Sequence, residues 1–382
     1  MNICFVGLGK LGMPCAEAIA QKGVPVAGFD IEPRTSSYVV IHDSLEGALL
    51  DANIVFVAVP TPHDPHYDGR APSAHLEPKD FDYTTAKSVI KQCDDLMNKD
   101  QLLVLISTVL PGTVRRDIVP LINNTRFVYN PYLIAMGTVS WDMVNPEMLM
   151  IGTEDGEETG DAKELIEFYA PLMENNPRIV VGTWDECECI KVFYNTFISA
   201  KIGLVNMIQD VAEKQGNINV DVVTAALRDS TQRIMGPAYM RAGMGDGGAC
   251  HPRDNIALRY MAEELGLGYD LFEAIMEARE MQAANMAEAV LQYGNRILFT
   301  SDSYKAGVDI KAGSYSLLVQ QFVKEMGGEV VDDNPDVIFK VHESDDIELD
   351  FAFALTDIST VIFDPWRSHV SKNPVRHYGN TR

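Results

Sequence analysis

Four glycines crowd a single cysteine in Gly243-Met244-Gly245-Asp246-Gly247-Gly248-Ala249-Cys250-His251-Pro252-Arg253-Asp254. Helical periodicity follows Pro252 through Ile256, Leu258, Met261 and Leu265, which places Cys250 just before a helix N-terminus. There the helix dipole and Arg253 favour the thiolate, the nucleophilic form. Glycine in such number, Gly247 included, lets backbone close around a ligand, and Asp254 can return to the same pocket as a base or orienting group. A lone cysteine is more often a buried, inert residue, and that is the reading for Cys4, Cys15, Cys93, Cys187 and Cys189. Earlier in the chain Lys191 and Asn195 are four residues apart on a helical pattern and share one face. Both donate hydrogen bonds, as an oxyanion-type site requires; a surface lysine beside a packed asparagine is the competing reading.

A second constellation opens the chain. Gly7-Leu8-Gly9-Lys10-Leu11-Gly12 has the spacing G-x-G-x-x-G between an apolar strand pattern, Ile3 to Val6, and a short helical one, Pro14 to Gln21. The first glycine permits the tight turn, the second lets backbone approach a pyrophosphate, and the third allows close helix–strand packing at a helix N-terminus. Asp30 ends the next apolar run 18 residues beyond Gly12 and can hold both ribose hydroxyls. The expected cofactor is NAD. Arg34 leaves room for NADP, and FAD uses the same fingerprint; the thiol chemistry tips the choice to nicotinamide.

The elements around these motifs imply three parts. Apolar runs at Val24 to Phe29, Ile54 to Val59 and Leu102 to Ile106 alternate with helical segments, predicting a doubly wound parallel sheet of the Rossmann type over residues 1–180. From Asp185 the helical pattern is nearly unbroken to about Gly216 and continues from Ala257 to Tyr293, so residues 181–295 read as an all-helical domain with one long helix. Residues 296–382 return to α/β alternation, with strands near Ile297 to Phe299, Val337 to Val341, Phe351 to Leu355 and Val361 to Phe363, and a helix from Ser316 to Met326.

The bulk properties fit a globular chain: 382 residues, 46% hydrophobic. No apolar run approaches the ~20 residues a membrane span needs, and no leader pattern precedes the first strand, so a cytoplasmic location is expected. Its 31 basic and 55 acidic residues give a formal charge of -24, which repels nucleic acid and anionic membranes. The acidity is read as a solvated surface, with a saline environment as the alternative. Six cysteines without metal-type pairing predict reduced thiols and no metal.

Taken together, these motifs resemble the UDP-glucose/GDP-mannose dehydrogenase family over nearly the whole chain. Val59-Pro60-Thr61-Pro62 resembles that family's V-x-T-P turn, Ser107-Thr108-Val109-Leu110-Pro111-Gly112-Thr113 its S-T-V-x-P-G-T, and the cysteine segment its G-x-G-x-G-G-x-C-x-x-K-D, with Arg253 for the usual lysine. The resemblance implies that Cys250 forms a thiohemiacetal and then a thioester, that Lys191 and Asn195 stabilise its oxyanion and contact the substrate, and that Asp254 and Thr108 position water. Two NAD molecules are reduced in turn. It places Pro60, Thr61, Ser107, Thr108, Arg253 and Lys311 on the cofactor side, with Lys311 replacing a usual arginine. Gly247, Lys305, Arg367 and an Arg233 reaching from a neighbouring subunit fall on the nucleotide-sugar side, which implies a homodimer. UDP-glucose is the favoured substrate.

One segment departs from the family. Where relatives read P-E-F-L-x-E-G, this chain reads Pro131-Tyr132-Leu133-Ile134-Ala135-Met136-Gly137, and both glutamates are gone. Thioester hydrolysis then falls to Asp254 or Thr108. Two alternatives stand beside the four-electron oxidation: a two-electron dehydrogenase acting on another sugar or a hydroxy acid, and a protein that binds NAD and nucleotide sugars without turnover.

Overall fold

The computed structural model describes residues 1–62, 79–135, 137–236, 242–246, 250–355 and 357–380. The chain divides into two compact units, Met1–Ala200 and Lys201–Arg382. In the first, β1 (Ile3–Val6), α1 (Gly12–Gln21), β2 (Val26–Phe29), β3 (Val40–Ile41), α2 (Leu45–Leu49), β4 (Ile54–Val57), α3 (Thr84–Leu96), β5 (Leu102–Leu105), β6 (Arg126–Tyr129), α4 (Val139–Val144), β7 (Met148–Thr153), α5 (Gly160–Tyr169) and β8 (Arg178–Thr183) follow in order. The eight strands form one sheet, β3-β2-β1-β4-β5-β6-β7-β8. Among the described residues only the β6–β7 pair is antiparallel, with the single register pair Tyr129 and Gly152. This is the doubly wound sheet the strand–helix alternation predicts. Both faces are covered, which is why β1, β4 and β5 are apolar at every position: Ile3 and Phe5 enter one core layer, Cys4 and Val6 the other.

α6 (Trp184–Gln215) leaves the first unit and continues into the second. The second unit then holds α7 (Val220–Arg228), α8 (Cys250–Glu264), α9 (Leu271–Leu291), β9 (Arg296–Phe299), α10 (Tyr315–Glu325), β10 (Glu329–Val330), β11 (Val337–Phe339), α11 (Ile347–Asp350), β12 (Val361–Asp364) and β13 (Val375–His377). Asp270 caps α9 by accepting from Glu273 N–H, and Ser314 caps α10 at Leu317 N–H, so each helix starts where a side chain satisfies its orphan donors. The five parallel strands run β10-β9-β11-β12-β13. Phe299, Phe339 and Phe363 stack across three of them at 4.7 and 5.1 Å.

One expected strand is corrected. Phe351 to Leu355 is not extended: Ala352–Leu355 forms a helical turn directly after α11. The alternation of large residues with alanine imitates a strand, but the spacing that governs the backbone is helical. Ile347, Phe351, Ala354 and Leu355 pack together on Leu298, Ile338 and Ile362, and Asp346 caps the start at Leu349 N–H. Among the described residues no helix is long and apolar enough to cross a membrane.

The first unit is tied at the far end of its sheet by Asp94, a fully buried carboxylate at the end of α3. It accepts from the backbone N–H groups of Asn123, Asn124 and Thr125 at 2.9 to 3.1 Å, fixing the approach to β6. Asp94→Ala leaves these donors without an acceptor and is expected to cost about 3 kcal/mol of unfolding free energy, read as a lower urea midpoint with an unchanged slope. Equal midpoints for the variant and the parent rule this out.

Candidate active site

In the first unit the strand order reverses between β1 and β4, which creates a crevice outside their carboxyl ends. The glycine turn sits at its edge. Gly7 has φ +92°, and a Cβ there would lie 2.8 Å from the Ala58 carbonyl oxygen. A Cβ on Gly12 would run into the Gly7 carbonyl oxygen, so α1 packs on the turn only because both are glycine. A Cβ on Gly9 meets nothing within 4 Å, which leaves that backbone open to a ligand. No side chain caps α1 at Leu11, so Lys10, Leu11 and Gly12 present the helix N-terminus to the crevice. An open backbone, a positive helix end and an acid at the end of β2 together fit a dinucleotide.

Asp30 does more than the sequence suggested. One of its oxygens accepts from Leu8 N–H at 2.6 Å and the other from Glu32 N–H at 2.8 Å, so the carboxylate also braces the glycine turn from below. Arg34 lies 3.6 Å from it. The loops after β4 and β5 are linked: Thr61 Oγ1 donates to the Thr108 carbonyl at 2.7 Å, and Ser107 Oγ to the Val59 carbonyl at 2.5 Å, with Pro60 between these anchors. Pro60, Thr61, Ser107 and Thr108 are therefore brought together beside the crevice.

From α6, Lys191 Nζ donates to the Tyr132 carbonyl oxygen at 2.7 Å, and burial lowers the pKa of its ammonium. Asn195 lies one turn further along, exposed. Tyr132, standing where the family carries a glutamate, turns its side chain into the core. Its hydroxyl bonds Tyr169 Oη at 2.7 Å, Tyr169 donates on to Asn130 Oδ1 at 2.6 Å, and Asn130 Nδ2 donates to the Met150 carbonyl at 2.6 Å. Since Tyr169 spends its proton on Asn130, Tyr132 is the donor to Tyr169. The chain of bonds reinforces the sparse β6–β7 pairing.

In the second unit α8 has Cys250 as its first residue. The side chains of Cys250, Arg253 and Asp254 lie outside the described residues, as do Met136 and Gly247. The described cysteines, Cys4, Cys15, Cys93, Cys187 and Cys189, are free thiols. Burial pushes Cys15, Cys93 and Cys187 up to about 12 and Cys4 higher still, which leaves them unreactive. The glycine segment is held by a residue the sequence reading missed. Arg279 of α9 donates to Asp246 Oδ1 at 2.5 Å and lies 5.4 Å over the Tyr315 ring. The signal was present as one charge in the apolar register of Ala283, Met286, Ala287 and Val290.

The second sheet also reverses its strand order, between β9 and β11. Outside the carboxyl ends of those strands lies a cleft of about 380 Å³ lined by Gly245, Ser303, Lys305, Tyr315, His342 and Trp366. Lys305 is thus at the cleft. Lys311 pairs with Asp302 at 2.7 Å, Arg233 is exposed after α7, and Arg367 spends its guanidinium on the carbonyls of Pro365, Tyr378 and Ala242. Arg367 therefore anchors the entry to the glycine segment, at a φ of +58°. For the cofactor crevice, Asp30→Ala removes both the ribose acceptor and the brace under Leu8. A ten- to hundredfold weaker NAD affinity by fluorescence titration is expected, on the order of one charged hydrogen bond or two; unchanged affinity would show that Asp30 does not face the ribose.

Two models of the UDP-glucose/GDP-mannose dehydrogenase family match the chain, the NAD-binding domain over residues 34–173 and the central domain over residues 185–280. The chain is 27% identical over 374 residues to UDP-glucose 6-dehydrogenase of Haloferax volcanii, covering 88% of this chain and 83% of that protein. It is 25% identical to the UDP-glucose 6-dehydrogenase of Rickettsia prowazekii over 334 residues, 81% of this chain and 75% of that one. The fold is similar to that of GDP-mannose dehydrogenase from Pseudomonas aeruginosa, solved as a ternary complex, with a TM-score of 0.76 at 22% identity over 96% of this chain and 91% of that chain. The chain belongs to the UDP-glucose/GDP-mannose dehydrogenase family and is an NAD-dependent sugar-nucleotide dehydrogenase.

Proposed function

We propose that the chain oxidises the C6 hydroxyl of a nucleotide sugar, UDP-glucose first among them, to the uronate through a thioester on Cys250. The observation that carries this reading is the position of Cys250 at the N-terminus of α8, a helix of 15 residues. A thiol at the positive end of a helix, beside a glycine run, is prepared as a nucleophile, whereas the buried thiols elsewhere are not. UDP-glucose rests on the names of the two relatives given above.

NAD supplies hydride acceptance. The residues of the chain do the rest in sequence. Once the alcohol is an aldehyde, the Cys250 thiolate adds to its carbonyl carbon, and Lys191 and Asn195 donate to the oxygen that becomes negative. Lys191 suits this because its ammonium is half-buried and carries three donors, one of which goes to the Tyr132 carbonyl. Oxidation of that adduct, with NAD as acceptor, would give the thioester, which water opens to the carboxylate with the Cys250 thiolate as leaving group. Tyr132 is committed to Tyr169, so Asp254 and Thr108 orient that water. The same commitment favours, as a second reading, a two-electron oxidation that stops at the aldehyde.

The functional division follows residues 1–180 for the cofactor, 181–295 for the thiol and its helices, and 296–382 for the nucleotide. The cleft at β9 and β11 suits that last role: Lys305 offers charge to a diphosphate, and Trp366 and Tyr315 offer ring surface to a base. Exposed Phe193 and Phe197, one turn apart on α6, and exposed Arg233 favour a homodimer in which Arg233 reaches the partner's substrate.

The test is the stoichiometry of NADH formed per UDP-glucose consumed, with Cys250→Ser alongside. Two NADH per sugar with uronate as product, and a variant that loses at least about a thousandfold in turnover, are expected. One NADH per sugar with free aldehyde would replace the four-electron reading by the two-electron one.

A further inference from the structure

The chemistry proposed above, on which this inference rests, uses Lys191 and Asn195 on α6 and Thr108 on the loop after β5. Helix and loop must therefore stay in register. Glu188 stands on the face of α6 that carries Lys191 and Asn195, three residues before the first and seven before the second. It is fully buried. One carboxylate oxygen accepts from Gly112 N–H at 2.5 Å and the other from Val114 N–H at 2.7 Å. These amides close the loop that carries Thr108, where Gly112 adopts φ +87°. The opening of the loop is held separately, by Ser107 on the Val59 carbonyl and by Thr61 on the Thr108 carbonyl. Thr108 lies between two anchors, and Glu188 is the one that belongs to the helix.

We propose that Glu188 is a positioning residue: its carboxylate, gripping the amides of Gly112 and Val114, holds the Thr108 loop in register with Lys191 and Asn195. The grip depends on ionisation. A carboxylate accepts at both oxygens, whereas the protonated acid turns one of them into a donor facing an N–H. The charged and titratable groups around Glu188 are Asp185, Cys187 and Cys189 on its own helix, Arg115 from the turn after the loop, and Tyr129 from β6. Arg115 is engaged by Asp185 at 2.8 Å. Burial pushes the Glu188 carboxyl up to about 7, against the pull of the two amides. The grip is complete above that pH and is released as pH falls through it.

Glu188→Gln places an N–H donor where one oxygen accepted, at every pH. Hydrogen exchange of residues 107–118, corrected for the intrinsic rate, reads the grip without any turnover. The full chain is expected to protect this segment at pH 8 and lose about tenfold in protection at pH 6, and the variant to be unprotected at both. With substrate, the variant is expected to lose about 10- to 100-fold in kcat with KM unchanged. Its kcat stays flat from pH 6 to 8, where the parent falls toward acid. A residue that only supported the fold would lower the melting temperature and leave the acid limb in place. Protection equal to the parent's in the variant, or protection in the parent that does not change between pH 8 and 6, overturns the proposal; the second measurement needs no variant to fold. A parent that oxidises no nucleotide sugar refutes the activity instead, and the exchange series still decides on Glu188.

Discussion

The turn between β1 and α1 leaves no room for a side chain at Gly12, because the Gly7 carbonyl oxygen stands where a Cβ would be. Much of the first unit follows from that contact. The helix can approach the strand closely enough for its first turn to point at the crevice, and the crevice exists because β4 takes the opposite side of β1 from β2. The cost is a turn whose backbone donors have few neighbours of their own. Asp30 answers that by accepting from Leu8 N–H while remaining at the end of β2, where an acid is expected to meet a ribose. One carboxylate therefore braces the turn and stands where cofactor recognition is expected.

The same device recurs through the chain. Asp94 collects three consecutive backbone amides before β6, Glu188 collects two after β5, and Asp364 at the end of β12 accepts from Trp366, Ser368 and His369. In each case a loop leaves a strand or helix end with donors that secondary structure does not use, and a buried acid meets them; at Asp364 the His377 ring, at 3.2 Å, and Lys340 join the amides. Backbone amides are the natural partners of a carboxylate that is buried, since they bring partial charge without a second desolvated ion. Some of the acidic excess of this chain is thus internal architecture rather than solvated surface.

That also marks what was legible in the sequence. The apolar strands β1, β2, β4, β5, β9, β11 and β12 were, because strands covered on both faces carry runs of apolar residues. The strands β3, β6, β7, β8, β10 and β13, most of them short or with polar residues, were not. The glycine turn, with its helix and acid, and the start of a helix at Cys250 were legible too, because residue type and spacing are local signals. The helical turn at Ala352–Leu355 was not, since five residues of alternating size fit either period and only the buried set from Ile347 onward decides between them. Glu188 stands three residues before Lys191, yet nothing local sets it apart from a surface acid until the loop after β5 is folded against it. Arg279 and Asp94 were hidden for the same reason: their partners lie 33 and about 30 residues away.

Tyr132 shows how a departure from a family pattern is absorbed. A carboxylate following the same path, in the core beside Tyr169, would be buried beside a phenol, and ionisation there would be opposed by desolvation. A phenol instead passes one hydrogen bond to Tyr169 and through it to Asn130, which clips β6 to β7 where the ladder offers a single bridging pair. What the segment gains is rigidity at the residue whose carbonyl receives Lys191. The position thus holds the backbone that receives Lys191, and on the route proposed for Cys250 the acid–base work of opening the thioester falls to other groups.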